Sequence, residues 1–381
     1  MAVAMVVGYH FKVPGFSGGS MGVTVFFALS GFLITGVLTR AKTALTGRGL
    51  GRFYFRRVLR LYPALAFVAL VCALYALVVL HGSDQDALFR EVIASMTYTM
   101  DFVVGRGHVA QFGYLSQTWS LSVEEQFYLI WPLVLIVILM LSKKPKVRSL
   151  VVLAMACCFA AWRAHLHALH LDAHLALNFD GQADCLLYGC AAALSYAELR
   201  SWIQRNDSAA TGVTLGALLF IGMMSLVHLN RLIPFSAGYA LTSIASVLLI
   251  LRLTVPAVGR AGVGLQEVFA WRLAVWVGTI SYGIYLWHPV MIHFMKNALG
   301  FSSAQQQVEV AAAALTLTVF AAWFSHRFVE LRFLRLKDRF EEPSSEVAVE
   351  EDGEHGADSK RSKGKRQPQH ARRRRVEPRD G

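Results

Sequence analysis

Apolar segments about twenty residues long recur along this chain as far as position 326, parted mostly by short loops, and this recurrence constrains the fold more than any single motif. A helix needs roughly 20 mostly apolar residues to cross a bilayer, because in hydrocarbon every backbone amide and carbonyl must find its partner within the segment. Ten segments are read, at about 1–11, 21–39, 61–80, 126–142, 149–164, 179–199, 211–229, 237–253, 275–297 and 308–326. The chain is 55% hydrophobic and 16% charged. That balance excludes a disordered body. The predicted fold class is all-α: a polytopic membrane protein of about ten transmembrane helices.

Lysine and arginine orient the bundle. They gather after the second segment (Arg40 to Arg60), the fourth (Lys143 to Arg148), the sixth (Arg200, Arg205), the eighth (Arg252, Arg260, Arg272) and the tenth, 31 of the 37 in all. Basic loops stay in the cytoplasm, so both termini are expected there. The same asymmetry accounts for most of the net charge of +12. No nucleic-acid partner is needed to explain it, and the expected environment is the lipid bilayer. Cys72, Cys157, Cys158, Cys185 and Cys190 all fall in apolar segments, with neither metal-ligand spacing to histidine nor a disulfide pattern. They read as small buried residues, and no metal site is expected.

Residues 1–330 read as one membrane domain. Its one long connection, 81–125, contains His81 and His108 on the non-cytoplasmic side; such long loops are often functional. Residues 341–381 run from Glu-rich to Lys/Arg-rich, end in Arg372 to Arg375 and hold no aromatic residue. They are predicted to form a disordered, charged cytoplasmic tail.

Several polar groups stand where hydrocarbon begins, a costly position that tends to mark chemistry or transport. His10 closes the first segment near its non-cytoplasmic end; a neutral imidazole there can take a proton from a hydroxyl and later return it. Glu124 and Glu125 open the fourth segment within Trp119-Ser-Leu-Ser122-Val-Glu-Glu. These acids can orient an imidazole, bind a sugar hydroxyl or act as a base, and Trp119 can stack on a sugar ring. Alternatively they are helix-start carboxylates favoured by the macrodipole. Arg56, Arg57 and Arg60 precede the third segment on the cytoplasmic side, where they are either ordinary topology charge or a clamp for phosphates. Ser30-Gly31 permits close helix approach. Asp184 opens the sixth segment and is able to pair with Arg163. Ser281-Tyr-Gly-Ile-Tyr285-Leu-Trp-His288-Pro lies within the ninth, with His288 deep in the apolar run.

In order along the chain, Tyr9-His10-Phe11, Gly22 to Thr35, Arg56-Arg57-Val-Leu-Arg60-Leu-Tyr-Pro, Trp119 to Tyr128, and Ser281 to Pro289 together resemble the membrane acyltransferase-3 family, bacterial integral-membrane O-acyltransferases, over about 1–330. The resemblance implies transfer of an acyl group, acetyl by default, from cytoplasmic acyl-CoA to a hydroxyl of a polysaccharide, glycolipid or glycosylated metabolite. It implies His10 as the essential histidine and a multi-pass place in the bacterial plasma membrane. On that footing His10 and Glu124 are the candidate catalytic residues. Arg56, Arg57 and Arg60 are candidates for binding CoA, and Trp119, Ser122, Asp184, Tyr285 and His288 for substrate. Acyl-CoA is expected as co-substrate, with no permanently bound cofactor. The Arg cluster and the His10–Glu124 pair are expected at opposite membrane faces, with the acyl-pantetheine arm threading between helices. A transporter or flippase of polysaccharide precursors is the rival class.

The chain departs from the family pattern in two places. Family members carry an arginine eleven residues before the histidine, which here would precede Met1, and the first segment is half the length a bilayer needs. The expectation is a start that omits roughly ten to fifteen residues, in a stand-alone form of the family. Arg332 stands where the family often has a proline after Glu330.

Overall fold

The computed structural model describes residues 1–40, 45–105, 113–170, 177–226, 235–299 and 304–338, and among them all regular structure is helical. The helices are α1 (Ala2–His10), α2 (Met21–Arg40), α3 (Gly47–Val78), α4 (Gly82–Met96), α5 (Met100–Gly105), α6 (Trp119–Leu141), α7 (Pro145–Ala168) and α8 (Phe179–Leu194). They continue as α9 (Tyr196–Arg205), α10 (Asp207–Leu226), α11 (Phe235–Thr254), α12 (Arg260–Ala270), α13 (Arg272–Thr279), α14 (Ser281–Leu299), α15 (Ala304–Ser325) and α16 (Leu331–Asp338). A 3₁₀ turn, Ser116–Thr118, leads into α6, and a π turn, His326–Glu330, links α15 to α16. One compact unit runs from Met1 to Lys337. The 341–381 tail and His108 lie outside the described residues.

Seven segments among the described residues are long and apolar enough to cross a membrane: Met21–Arg40, Gly47–Val78, Ser116–Leu141, Pro145–Ala168, Asp207–Leu226, Ala237–Thr254 and Val308–Leu336. The other three predicted spans fall short by different routes. α1 has nine residues. α8 has sixteen, with Asp184 among them. α14 has nineteen, but Ser281, His288, His293 and Lys296 interrupt its apolar positions.

The outward surface shows what solvent the bundle is built for. On α3, Leu70, Leu74 and Leu77 are exposed, and on α6 so are Leu129, Leu133, Val137 and Met140. Spacings of three and four place each set on one stripe. In water such stripes forfeit about 25 cal/mol for each Å² left unburied; against lipid they do not. Cys157 and Cys158 on α7 are also exposed, whereas Cys72, Cys185 and Cys190 are buried.

α8 is the central strut. Every residue from Gly181 to Ala192 is buried, so it presents no lipid-facing stripe. Asp184 at its heart meets the Arg163 guanidinium of α7 through two bonds of 2.6 Å each, with neither side chain exposed. Glycines let α2 lie directly on α8: a methyl at Gly31 would overlap the Leu186 carbonyl, and one at Gly189 the Ala28 carbonyl. Gly31 thus makes the close approach anticipated for Ser30-Gly31.

Two boundaries differ from the hydropathy reading. α3 is continuous from Gly47 for 32 residues, about 48 Å at 1.5 Å per residue. α6 begins at Trp119, seven residues before the predicted span. Polar residues that seemed to flank spans therefore lie within helices and pack inside the bundle.

Candidate active site

α1 ends in a Schellman cap. The Lys12 amide donates to the Tyr9 carbonyl at 3.1 Å and the Val13 amide to the Gly8 carbonyl at 2.9 Å, the bond pair that turns a chain at a left-handed residue. That residue is Lys12, with φ of 53°. Phe16 then folds back over Gly8, where any side chain would overlap its ring. His10, the last residue of the helix, is held at the rim of a cavity of about 600 Å³ that Lys12, Ser17, Ser116, His293 and Lys296 also line.

Hydrogen bonding selects the His10 tautomer. In α14, Pro289 lacks the amide that would bond the Tyr285 carbonyl. His288 turns its Nδ1 back along the same helix, 3.1 Å from the Ile284 carbonyl, with the Tyr285 carbonyl also bonding the ring. A carbonyl only accepts, so His288 Nδ1 carries the proton and Nε2 the lone pair. His288 Nε2 lies 3.3 Å from His10 Nδ1, which is also 2.9 Å from the Val6 carbonyl. With two acceptors before it, His10 Nδ1 carries its proton, leaving the lone pair on Nε2. The histidines thus form a hydrogen-bonded chain that runs from the backbone of α14 to a residue lining the cavity. His288 itself is fully buried.

The turn before α6 braces this pair. The Tyr285 hydroxyl is 2.6 Å from both the Gln117 carbonyl and Ser120 Oγ, and Gln117 Nε2 donates to the Leu286 carbonyl at 3.0 Å. From the other side, Glu91 of α4 accepts the Leu115 amide at 2.6 Å. Burial pushes the Glu91 carboxyl up to about 7, against the pull of the Leu115 and Tyr114 amides.

Glu124 takes part in a separate polar knot between α2, α3 and α6. It accepts from Ser30 Oγ and, at 2.5 Å, from the Tyr128 hydroxyl. Arg57 Nη2 is 3.3 Å from Glu124, and Arg57 Nε donates to Glu125 at 2.7 Å. The guanidinium lies 3.3 Å above the Tyr128 ring. Arg57 and the two acids are therefore neighbours and not separated by a membrane thickness. The expectation of opposite faces fails because it equated the start of an apolar run with the edge of the bilayer. A guanidinium neutralised by two carboxylates is accommodated well inside a bundle. Glu124 is also absent from the described lining of the His10 cavity.

The remaining sequence candidates are dispersed. Arg56 is half-buried, and Arg60 is exposed within electrostatic reach of Glu330. Trp119 packs edge-on against Phe27, with ring centres 6.1 Å apart. Ser122 Oγ accepts the Met100 amide at 3.1 Å and donates to the Thr118 carbonyl at 3.2 Å, tying α5 to α6. Asp184 is closed off by Arg163. Of the substrate candidates, His288 meets His10 and Tyr285 packs against His288, while Trp119 and Ser122 follow the bracing turn in sequence.

Residues that were not site candidates in the sequence join these clusters: Lys12 and His293 line the cavity, Gln117 and Glu91 hold the bracing turn, and Ser30, read only as a packing residue, bonds Glu124 together with Tyr128. Tyr128 alone had a local signal, since it sits four residues after Glu124 on the same helical face. Glu91, Ser30 and Gln117 are joined to these clusters by hydrogen bonds across 24, 94 and 169 positions, which no local pattern reports.

Comparison with known proteins adds an independent line. A family profile described as an acyltransferase domain matches residues 1–327. The peptidoglycan O-acetyltransferase OatA of Listeria monocytogenes is 31% identical over 341 residues, covering 87% of this chain and 54% of that protein. YrhL of Bacillus subtilis, provisionally named a peptidoglycan O-acetyltransferase, is 31% identical over 305 residues, covering 76% of this chain and 47% of that protein. A provisionally named O-acetyltransferase of Staphylococcus aureus is 26% identical over 349 residues, covering 87% and 56%. The chain thus spans about half the length of the curated relatives it matches. No solved structure matches it.

Proposed function

Because the chain belongs to the acyltransferase-3 family, we propose that it is a membrane O-acyltransferase that moves an acyl group, acetyl by default, from cytoplasmic acyl-CoA to a hydroxyl of a sugar-containing acceptor. Relatives named for peptidoglycan O-acetylation make a cell-wall glycan the leading acceptor. The observation that carries the reading is the His288–His10 relay, which sets a basic nitrogen at the rim of a 600 Å³ cavity.

His10 Nε2 takes the proton of the acceptor hydroxyl as its oxygen attacks the thioester carbonyl. The tetrahedral intermediate collapses by breaking the C–S bond, and the imidazolium returns the proton to the departing CoA thiolate. Glu124 serves from the Ser30–Tyr128–Arg57 knot, holding α2, α3 and α6 in register, and not by touching the imidazole. Arg56 and Arg60, which share a helical face, are the proposed phosphate contacts, with Arg57 committed to the two acids. Ten spans, both termini in the cytoplasm, a membrane domain over 1–330 followed by a disordered tail, and a bacterial plasma-membrane location belong to the same reading.

Turnover of acetyl-CoA by purified protein in liposomes with a glycan acceptor tests it. Wild type should release CoA in step with acetylated glycan, and His10→Ala should lower kcat by about 10²- to 10⁴-fold. Equal transfer by both proteins would remove His10 from the chemistry. The charged knot inside the bundle is also what a transporter of glycan precursors would use. Glycan translocation without any acetyl transfer, abolished by Glu124→Gln, would favour that alternative.

A further inference from the structure

α4 has fifteen residues, too few to span a bilayer, and its inner face buries Leu88, Glu91, Ala94 and Ser95. Spacings of three and four put Glu91 and Ser95 on one stripe. Both reach the segment that enters α6. Glu91, 4% exposed, accepts the Leu115 amide at 2.6 Å and also engages the Tyr114 amide. Ser95 Oγ is 2.8 Å from Thr118 Oγ1. Gly113 lies so close to the Glu91 carboxyl that a methyl there would overlap it. Three successive residues, Gly113 to Leu115, are thus wrapped around one carboxyl.

A buried carboxylate is costly unless hydrogen bonds or a cation offset it. Here backbone amides do so. An apolar residue would fill this place without that cost. What the carboxyl adds is a fixed position for the amides it holds.

That backbone leads to the site. Gly113 and Ser116 line the cavity with His10, and Ser116 Oγ donates to the Gly113 carbonyl at 3.2 Å. The next residue, Gln117, bonds α14 twice: it donates to the Leu286 carbonyl, and its own carbonyl accepts from the Tyr285 hydroxyl. The Tyr285 ring packs against His288, with centres 5.8 Å apart, and His288 Nε2 lies 3.3 Å from His10 Nδ1. Each link from Glu91 to His10 is a hydrogen bond, a ring contact or a short step of chain.

We propose that Glu91 is a positioning residue for acyl transfer: from α4 it fixes Gly113 to Leu115, and through Gln117 and Tyr285 it sets the His288–His10 pair against the cavity. This rests on the acyltransferase reading and adds to it a residue that acts through the backbone and not by contact with substrate. Glu91 is absent from the described lining of the cavity.

Purified protein in liposomes is assayed at pH 8, above the value of about 7 to which burial raises Glu91, with acetyl-CoA and a peptidoglycan oligosaccharide as acceptor. Glu91→Ala should lower kcat per folded molecule by about 10- to 100-fold, the scale of a misplacement of about 1 Å, with little change in KM for acetyl-CoA. Glu91→Gln keeps one of the two acceptor oxygens and should recover part of the loss. Gly113→Ala should lower kcat in the wild-type chain but add little in Glu91→Ala, because the carboxyl that its methyl would strike is gone. A merely structural carboxyl predicts a lower melting temperature and folded yield with kcat per folded molecule unchanged, and that result overturns the proposal. So do independent, additive losses in the double variant. If Glu91→Ala gives no folded protein, Glu91→Gln decides: a lower kcat supports the proposal, and a kcat equal to that of wild type overturns it. If wild type transfers no acetyl group, the acyltransferase reading is what fails, and positioning is judged by the rate at which diethyl pyrocarbonate modifies His10, followed by mass spectrometry of its peptide. A rate that differs between wild type and Glu91→Gln supports positioning, and equal rates overturn it.

Discussion

His10 and His288 show how much a residue's role depends on its partner. Each alone is an imidazole in an apolar run, yet together they fix which nitrogen is basic. His288→Ala should lower kcat by about 10- to 100-fold with little change in KM for acetyl-CoA. His288→Gln, whose amide oxygen is able to accept from His10 Nδ1, should recover part of the loss. A change confined to KM, or no recovery, would assign His288 to binding or packing. Glu91 makes a second prediction at this scale. Its carboxyl is raised from 4.5 to about 7, so between those values the folded protein keeps a proton that the unfolded chain has released. The contribution to stability is full below about 4.5, shrinks as pH rises, and is lost above about 7. The melting temperature of wild type relative to Glu91→Gln should therefore fall as pH is raised from 5 to 8. A flat difference would show that Glu91 does not titrate in this window.

Helices meet through two kinds of contact here. Where α2 lies on α8, backbone touches backbone, and Gly189→Val should cost about 1–3 kcal/mol or more, read as a lower melting temperature and a smaller folded yield in detergent. Where α3 meets α6, the contact is ionic, with side chains about one-fifth exposed. Arg57→Gln, Glu125→Gln and the double variant form a cycle whose coupling in melting free energy should be about 0.5–3 kcal/mol, reduced toward the low end by partial solvent screening. If Arg57 instead grips CoA, the single change will raise KM for acetyl-CoA strongly and the coupling will vanish. These contacts also show why motifs misled about depth. Arg57 and Glu124 read as flanks of their spans because hydropathy registers where apolar residues begin. It does not register that opposite charges neutralise each other in the bundle.

Across the whole molecule, seven described segments meet the length and apolarity of a span, while α1, α8 and α14 do not. Those three carry or brace the two histidines and the buried Arg163–Asp184 pair. The proposed topology is testable in a protein with Cys157 and Cys158 replaced, since both are exposed. Cysteine placed at Ser17 should react with a membrane-impermeant maleimide from outside the cell, and cysteine at Lys144 only after the membrane is opened. The reverse pattern would invert the bundle.

The amino-acid sequence by itself determined the helical class, the membrane setting and the family, because these follow from the length, spacing and order of residues along one chain. His10 was singled out there too, as a histidine closing an apolar run within an ordered set of motifs. Only the tertiary structure decided which groups share a site. It bound Glu124 into a knot with Arg57, Ser30 and Tyr128, and it drew His288 across 278 positions to His10. It also closed Asp184 onto Arg163. The physical reason is that helix formation and lipid solvation depend on local composition, whereas neutralising a buried charge depends on whichever helix the bundle places beside it.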